Sequence, residues 1–453
     1  MTDVRNIART LFSLNKFELA STMLKAIGDA SSEPQEIFYV FETLISGGLN
    51  DESVYYGQKL LDMEVPDDLK LQVKIMLASA YRNTAFSEKA IKLLDEVYEV
   101  TKSNSILIEK AGCMYENNQK DEAKELLDTV DDSNLSEIDS VKRRSYLGAH
   151  QLREGNFSDG IKSVVFESNK LRNLQSGGVY YHSRSELPLE FWQGTSDCKK
   201  LIVFAEAGLG DEIINIRFLN NLKERGIDVK WYGHWHQNAA ANRRVGAAEW
   251  FRSSGYDVIT NLDLEVYKDY SWTYSQYLPV LLGVEEKDLW TGPYMTAGTK
   301  QLAGTKKKVG IRWAGNDYPR YRNFPLKDLY NAVKDLDVDF YSLQKDSSMN
   351  ELKEFPEIID LSKQMNSFVD TAEYINSMDL IITCPTSISP AAGALDKSCI
   401  TIVQISDYYI FNTKTNKTPW FGNSMDLVRQ KTPRIWSDIM EDVKILAQEK
   451  LGL

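Results

Sequence analysis

Leu201-Ile202-Val203-Phe204-Ala205-Glu206-Ala207-Gly208-Leu209-Gly210-Asp211-Glu212 is the stretch from which the fold of the longer part of the chain can be read. An apolar run rich in strand formers stops at two spaced glycines. Apolar residues then return at helical spacing through Ile214, Phe218 and Leu222. That order is strand, tight turn, helix N-terminus. The first N–H groups of a helix have no partner in the helix, and its dipole is positive there. Gly208 and Gly210 let an anionic group come close to that backbone. Two acids flank the turn, Glu206 before it and Asp211 after it. A carboxylate beside an anion-friendly turn reads as a reactive group rather than a phosphate ligand, so the stretch points to chemistry on a phosphorylated substrate.

A dinucleotide fingerprint is excluded by two residues. The third glycine of G-x-G-x-x-G would fall at Ile213, and Asp228 precedes the next strand where the ribose-binding acid should follow it.

Short apolar runs alternate with helical ones after Leu201. The strand candidates are 201–205, Val229–Tyr232, Val309–Trp313, Phe340–Leu343, Leu380–Thr383 and Ile400–Ile405. Such alternation predicts α/β lobes with parallel sheets. The polar segment Gly298–Lys308 separates two groups of strands and reads as a linker between two Rossmann-like lobes, 176–300 and 301–453. A last helix, from Trp436 to about Leu451, is placed to close back over the lobes. Residues 1–175 read differently, as helices with few β-runs. Small residues at Ala20, Gly57, Ala90, Ala123 and Gly160 recur at a spacing of about 34 residues, the period of a tetratricopeptide helix pair.

Bulk composition narrows the function. The 453 residues carry 53 Lys and Arg against 65 Asp and Glu, a net charge of −12, which argues against a broad electrostatic grip on nucleic acid or anionic membrane. Cys113, Cys198, Cys384 and Cys399 are scattered and form no C-x-x-C pair, as expected in a reducing compartment without structural zinc. No apolar run approaches the roughly 18 residues of a membrane span, and the first residues lack a signal-peptide core. A cytoplasmic protein is expected.

Two further clusters carry chemistry. Val309-Gly310-Ile311-Arg312-Trp313-Ala314-Gly315-Asn316 reads as a strand ending in a loop that bears Arg320 and Arg322. Irregular backbone with cationic forks suits a diphosphate; a solvated basic loop is the simpler alternative. Ile382-Thr383-Cys384-Pro385-Thr386-Ser387 leads into the small-residue helix Ile388–Leu395. Thr386 and Ser387 stand where a helix cap and first-turn N–H groups would face an anion, or would simply cap the helix. His234 and His236 have a metal-compatible spacing without an evident third ligand, and Asp335, Asp337 and Asp339 read as a solvated turn.

In order, these pieces resemble tetratricopeptide-containing glycosyltransferases whose catalytic part is similar to the ADP-heptose heptosyltransferases, and more distantly the protein O-GlcNAc transferases. The resemblance covers about residues 185–445. It runs through Leu187-Pro188-Leu189, Trp192-Gln193-Gly194, Glu206–Asp211, Trp313–Asn316, Tyr341–Lys345, Asp370-Thr371-Ala372, Asp379–Ile382, Ala392–Leu395, Pro419-Trp420-Phe421 and Arg429-Gln430. It implies a GT-B fold, with the acceptor on the first lobe and a nucleotide-sugar on the second. It implies Asp211 as the general base, with Glu206 sharing or replacing it. Gly208, Gly210, Asn316, Arg320, Arg322, Gln344, Thr386 and Ser387 would line the substrate site. Transfer would be inverting, with no metal and no cofactor beyond the donor. The repeats would hold a glycan or protein acceptor. The chain departs from the family where many relatives carry Asp-Thr-x-x-x-His, since Pro385, Thr386 and Pro390 occupy those positions. A non-catalytic repeat scaffold, or an epimerase-like enzyme on the same fold, is the alternative.

Overall fold

A computed structural model describes residues 2–14, 16–175, 187–233, 246–315, 321–406 and 408–453. Among the described residues the chain opens with ten helices, α1 to α10: Thr2–Ser13, Phe17–Ala30, Pro34–Ser46, Asn50–Leu61, Asp67–Asn83, Ser87–Thr101, Asn104–Glu116, Lys120–Asp128, Glu137–Arg153 and Phe157–Gln175. They form five consecutive pairs, a tetratricopeptide-like array. The recurring small residues all fall in the second helix of a pair. Ala20, Ala90 and Ala123 are buried, and a Cβ on Gly57 would lie 2.8 Å from the Phe41 ring and 2.9 Å from Leu77. Only a small residue permits so close a crossing.

The turns inside the pairs share a second device. Gly48, Ala85, Asn118 and Gly155 have φ of 76°, 55°, 63° and 83°. A left-handed residue reverses the chain directly after a helix, a conformation that Gly adopts freely and Asn tolerates. Ala85 pays a steric penalty from its Cβ. Ala85→Gly is therefore expected to stabilise the chain by about 1 kcal/mol, read as a higher midpoint in urea unfolding.

By its contacts the chain divides into two compact units, Met1–Arg143 with Thr432–Arg434, and Arg144–Lys431 with Ile435–Leu453. The first unit has its own core, including Leu24, Val40, Phe41, Tyr56, Leu77 and Leu94. Its surface carries an open pocket of about 390 Å³ lined by Gln58, Leu61, Asp62, Leu77, Tyr81 and Leu93.

The second unit contains the end of α9 from Arg144, all of α10 and two parallel sheets. In the first sheet, β1 (Lys200–Phe204), β2 (Asp228–Tyr232), β3 (Val258–Ile259) and β4 (Ser271–Tyr274) are ordered β3-β2-β1-β4. In the second, β5 (Lys307–Arg312), β6 (Val338–Ser342), β7 (Ile359–Asp360), β8 (Leu380–Thr383), β9 (Cys399–Val403) and β10 (Met425–Arg429) are ordered β10-β9-β8-β5-β6-β7. Counted from its own first strand, the second sheet has the doubly wound order 3-2-1-4-5-6, and the first sheet has the 3-2-1-4 part of it. Both lobes are Rossmann-like.

All six strand candidates are strands. The four that the pattern missed are short or polar: β3 and β7 have two residues each, and β4 and β10 carry Ser271 and Asp426. Asp426 is buried in β10 because Lys417 and Lys450 pair with it at 2.6 and 2.5 Å. The linker is tied to the second lobe by Lys300, whose ammonium meets Asp370 at 3.0 Å and Glu373 at 2.9 Å. The last helix, Met440–Leu451, starts four residues later than read from sequence. It packs into the core of the second lobe through Met440, Val443, Ala447 and Leu451 rather than back across both lobes. All four cysteines are buried free thiols. No described helix is long and apolar enough to cross a membrane.

Candidate active site

In an open parallel sheet, the connections leave toward opposite faces at the point where the strand order reverses. A crevice opens there at the carboxyl ends of the two strands. The first lobe switches between β1 and β4, the second between β5 and β8. The three sequence clusters emerge at these two places. Glu206–Asp211 follows β1, Trp313–Gly315 follows β5, and Cys384–Ser387 follows β8.

The first turn forms as expected. Helix α11 (Leu209–Asn215) begins at Gly208, and the Gly208 N–H donates to Asp211 Oδ2 at 2.8 Å, so the acid closes its own helix start. Ala207 is left-handed at φ 64°, a strained position for alanine directly before the glycine. Gly208 is exposed and Asp211 half-buried. Glu206 is buried, and its Oε1 accepts from the Gln276 N–H at 3.3 Å, which ties the end of β1 to the segment after β4.

At the second switch point, Arg322 Nη1 donates to the Pro385 carbonyl at 2.8 Å. A Cβ on Gly315 would lie 2.7 Å from Arg322 Nη2 and 2.9 Å from Thr386 Cγ2, so a bare glycine lets the arginine cross to the β8 turn. The Thr386 N–H donates to the Cys384 carbonyl at 2.7 Å, and its Oγ1 accepts from the Ile388 N–H at 3.4 Å. Thr386 thus folds its turn, while Ser387 makes no side-chain cap bond. Asn316 and Arg320, like His234 and His236, lie outside the described residues.

Gln344 is fully buried behind the same turn. Its Oε1 accepts from the Ala314 N–H at 3.2 Å, and its Nε2 donates to the Ala314 carbonyl at 3.0 Å and to Asp346 at 2.7 Å. Arg312 joins this network by donating to the carbonyls of Ala314 and Leu343, both at 3.1 Å. These two side chains set the backbone from which Gly315 and the arginine loop depart. The sequence offers no role for Arg312, because its partners Leu343 and Asp346 come from the segment after β6.

The two switch points face each other. A Cβ on Gly210 would stand 3.5 Å from Pro390 Cγ and 3.7 Å from Ser387 Cα, so the start of α11 lies against the turn and small-residue helix (Ile388–Ala394) after β8. Two residues that the sequence reading did not single out hold this arrangement. Arg217 is buried and donates to the carbonyls of Ile214 at 2.8 Å, Leu289 at 2.7 Å and Trp420 at 2.6 Å, and to the Tyr294 hydroxyl at 2.7 Å. Its guanidinium lies 4.2 Å from the centre of the Tyr294 ring. Tyr408, from the loop after β9, donates its hydroxyl to Asp211 Oδ1. Burial and the neighbouring carboxylate hold that phenol well above its ordinary pKa, so it remains a protonated donor. The signal for Arg217 was a lone arginine inside the apolar run Ile213–Leu219. Tyr408 left no local signal.

No family model matches the chain, and no curated protein matches it. Solved structures are similar at low identity. The Escherichia coli ADP-heptose LPS heptosyltransferase II matches 56% of this chain and 97% of its own, at 11% identity and a TM-score of 0.38. An O-GlcNAc transferase variant of Thermobaculum terrenum matches 96% of this chain and 93% of its own, at 11% identity and a TM-score of 0.30. A tetratricopeptide protein of Thermus thermophilus matches 39% of this chain and 96% of its own, at 16% identity and a TM-score of 0.27.

Proposed function

We propose that this chain is a glycosyltransferase that moves a sugar from a nucleoside diphosphate donor to an acceptor hydroxyl with inversion at the anomeric carbon. One observation carries the reading: the start of α11, which bears Asp211, abuts the turn after β8 that Arg322 braces. A base on one side and a fixed cation on the other are what a single displacement requires. Asp211 accepts the proton as the acceptor oxygen bonds to the anomeric carbon. Arg322, with Ser387 beside it, meets the charge that develops on the departing diphosphate, a task that asks for no metal. The Pro residues at 385 and 390 place the phosphate-side load on Arg322 and the backbone.

In the same proposal Glu206 braces the turn through Gln276, while Gln344 acts through Ala314. The pocket between Gln58 and Leu93 is offered as the place where the repeats hold a segment of a protein or glycan acceptor.

The test is release of nucleoside diphosphate from a panel of UDP-, GDP- and ADP-sugars by the full chain, with binding of the free diphosphates followed by thermal shift. Turnover of at least one donor supports the reading. Neither turnover nor a shift with any member would refute it and leave the scaffold alternative. Gly315→Ala is expected to displace Arg322 and weaken binding of the matching diphosphate about tenfold, measured by calorimetry. Unchanged binding would remove Arg322 from the donor site.

A further inference from the structure

We propose that Tyr408 stands in for the acceptor hydroxyl on Asp211 and suppresses hydrolysis of the donor until an acceptor displaces it. The inference rests on the glycosyl-transfer reading of the same turn.

Asp211 has two oxygens with different duties. Oδ2 receives the Gly208 N–H at 2.8 Å and so belongs to the helix start. Oδ1 accepts from the Tyr408 hydroxyl, and it is the oxygen we assign to the proton in transit. An acceptor alcohol must make that same bond, in that same direction, before it attacks. The phenol imitates the alcohol but is fixed to the second lobe.

Its place is built rather than incidental. The Tyr409 ring packs 4.4 Å from the Tyr408 ring and 5.5 Å from that of Trp420, whose carbonyl is held by Arg217. Further along the loop, Asn412 Nδ2 donates to the Ala149 carbonyl at 2.6 Å, and Lys414 meets Glu154 at 2.5 Å. The end of α9 and the turn after it, within the same compact unit, therefore clamp the loop that presents Tyr408.

The chemistry explains why such a stand-in is useful. In hydrolysis, a water oxygen bonds to the anomeric carbon. The bond from that carbon to the diphosphate oxygen breaks, its electron pair leaving on the nucleoside diphosphate, and the water proton passes to Oδ1. Transfer differs only in the oxygen that attacks. An acceptor held by many contacts can displace the phenol from Oδ1; a lone water, with few contacts, competes poorly for it.

The experiment compares the full-length wild type, Tyr408→Phe, Asp211→Asn and the double variant, each incubated without acceptor on UDP-glucose, UDP-N-acetylglucosamine, GDP-mannose and ADP-glucose. Tyr408→Phe is expected to raise diphosphate release about tenfold on any donor the wild type consumes. Asp211→Asn and the double variant should stay near background, which shows that the added hydrolysis runs through Asp211. Tyr408→Leu provides the same readout if the phenylalanine variant melts early. Unchanged or slower release by both Tyr408 variants, on a donor that the wild type consumes, would overturn the inference and leave the transfer reading standing. So would a rise that persists in the double variant. If none of the four proteins consumes a donor, the inference is overturned; the transfer reading fails with it only where no free diphosphate shifts the melting temperature of the wild type either.

Discussion

Asp211→Ala is expected to lower transfer by two to four orders of magnitude, the range for loss of a positioned general base. Acceptor-dependent kcat/KM should carry the loss, because the carboxylate is needed when the acceptor proton leaves and not while the donor binds. Binding of the free diphosphate should stay within about twofold of wild type, since Arg322 and the β8 turn belong to the other lobe. The same carboxylate closes the start of α11 and receives Tyr408. Alanine therefore also costs about 1 kcal/mol of stability from the lost cap. Asp211→Asn separates the two roles. Its side-chain oxygen can still accept a hydrogen bond, but a neutral amide cannot take up the proton. Equal losses of transfer in the two variants, with a smaller stability change in the asparagine protein, would establish the base. Near-normal turnover by Asp211→Asn would transfer that role to another group, Glu206 first.

Arg217→Met is expected to be the most destabilising single change, on the order of 4 kcal/mol. The guanidinium satisfies the carbonyls of Ile214, Leu289 and Trp420 and the Tyr294 hydroxyl. Methionine fills most of the volume but leaves these groups with fewer partners in a region closed to water. Each buried polar group left unsatisfied costs about 1–3 kcal/mol. Arg217→Lys keeps the charge but loses the planar fork that reaches several carbonyls at once, so a loss of about 2 kcal/mol is expected. Urea unfolding followed by circular dichroism measures both. Because the chain divides into two compact units, two transitions are expected, and only that of the unit holding both sheets should move. A shift smaller than that from Ala85→Gly would mean that Arg217 does not fasten the lobes.

Much of the architecture was legible because it is written in local periods. The spacing of Ala20, Gly57, Ala90, Ala123 and Gly160 reports helix pairs directly, since each small residue meets a neighbouring helix at a similar depth. Strands such as Leu201–Phe204 and Leu380–Thr383 are buried throughout and almost wholly apolar because both of their faces are covered. Short strands failed this test: Val258–Ile259 and Ile359–Asp360 have no room for a period. β10 hides Asp426 behind two lysines that only the fold supplies.

The candidate site was legible in pieces. Gly208, Gly210 and Asp211 announce a turn and a helix start, and the hydroxyls at Thr386 and Ser387 announce another. Their functional weight was not equally visible. Thr386 is engaged within its own turn, and Gln344 is buried against Ala314. Arg322 gained its place from Gly315, seven residues earlier, and from Pro385 in the turn after β8.

By itself the sequence determined the elements, their order and the residue types at the two glycine- and hydroxyl-rich turns, because helix starts, strand periods and tight turns depend on neighbours within a few residues. Tertiary structure alone decided that these turns meet. It set Gly210 against Ser387, gave Arg217 the carbonyls of Leu289 and Trp420 from two distant segments, and brought Tyr408 across from the second lobe to Asp211. Such contacts join residues some seventy to two hundred positions apart. Their geometry follows from how two sheets pack, which no local period encodes.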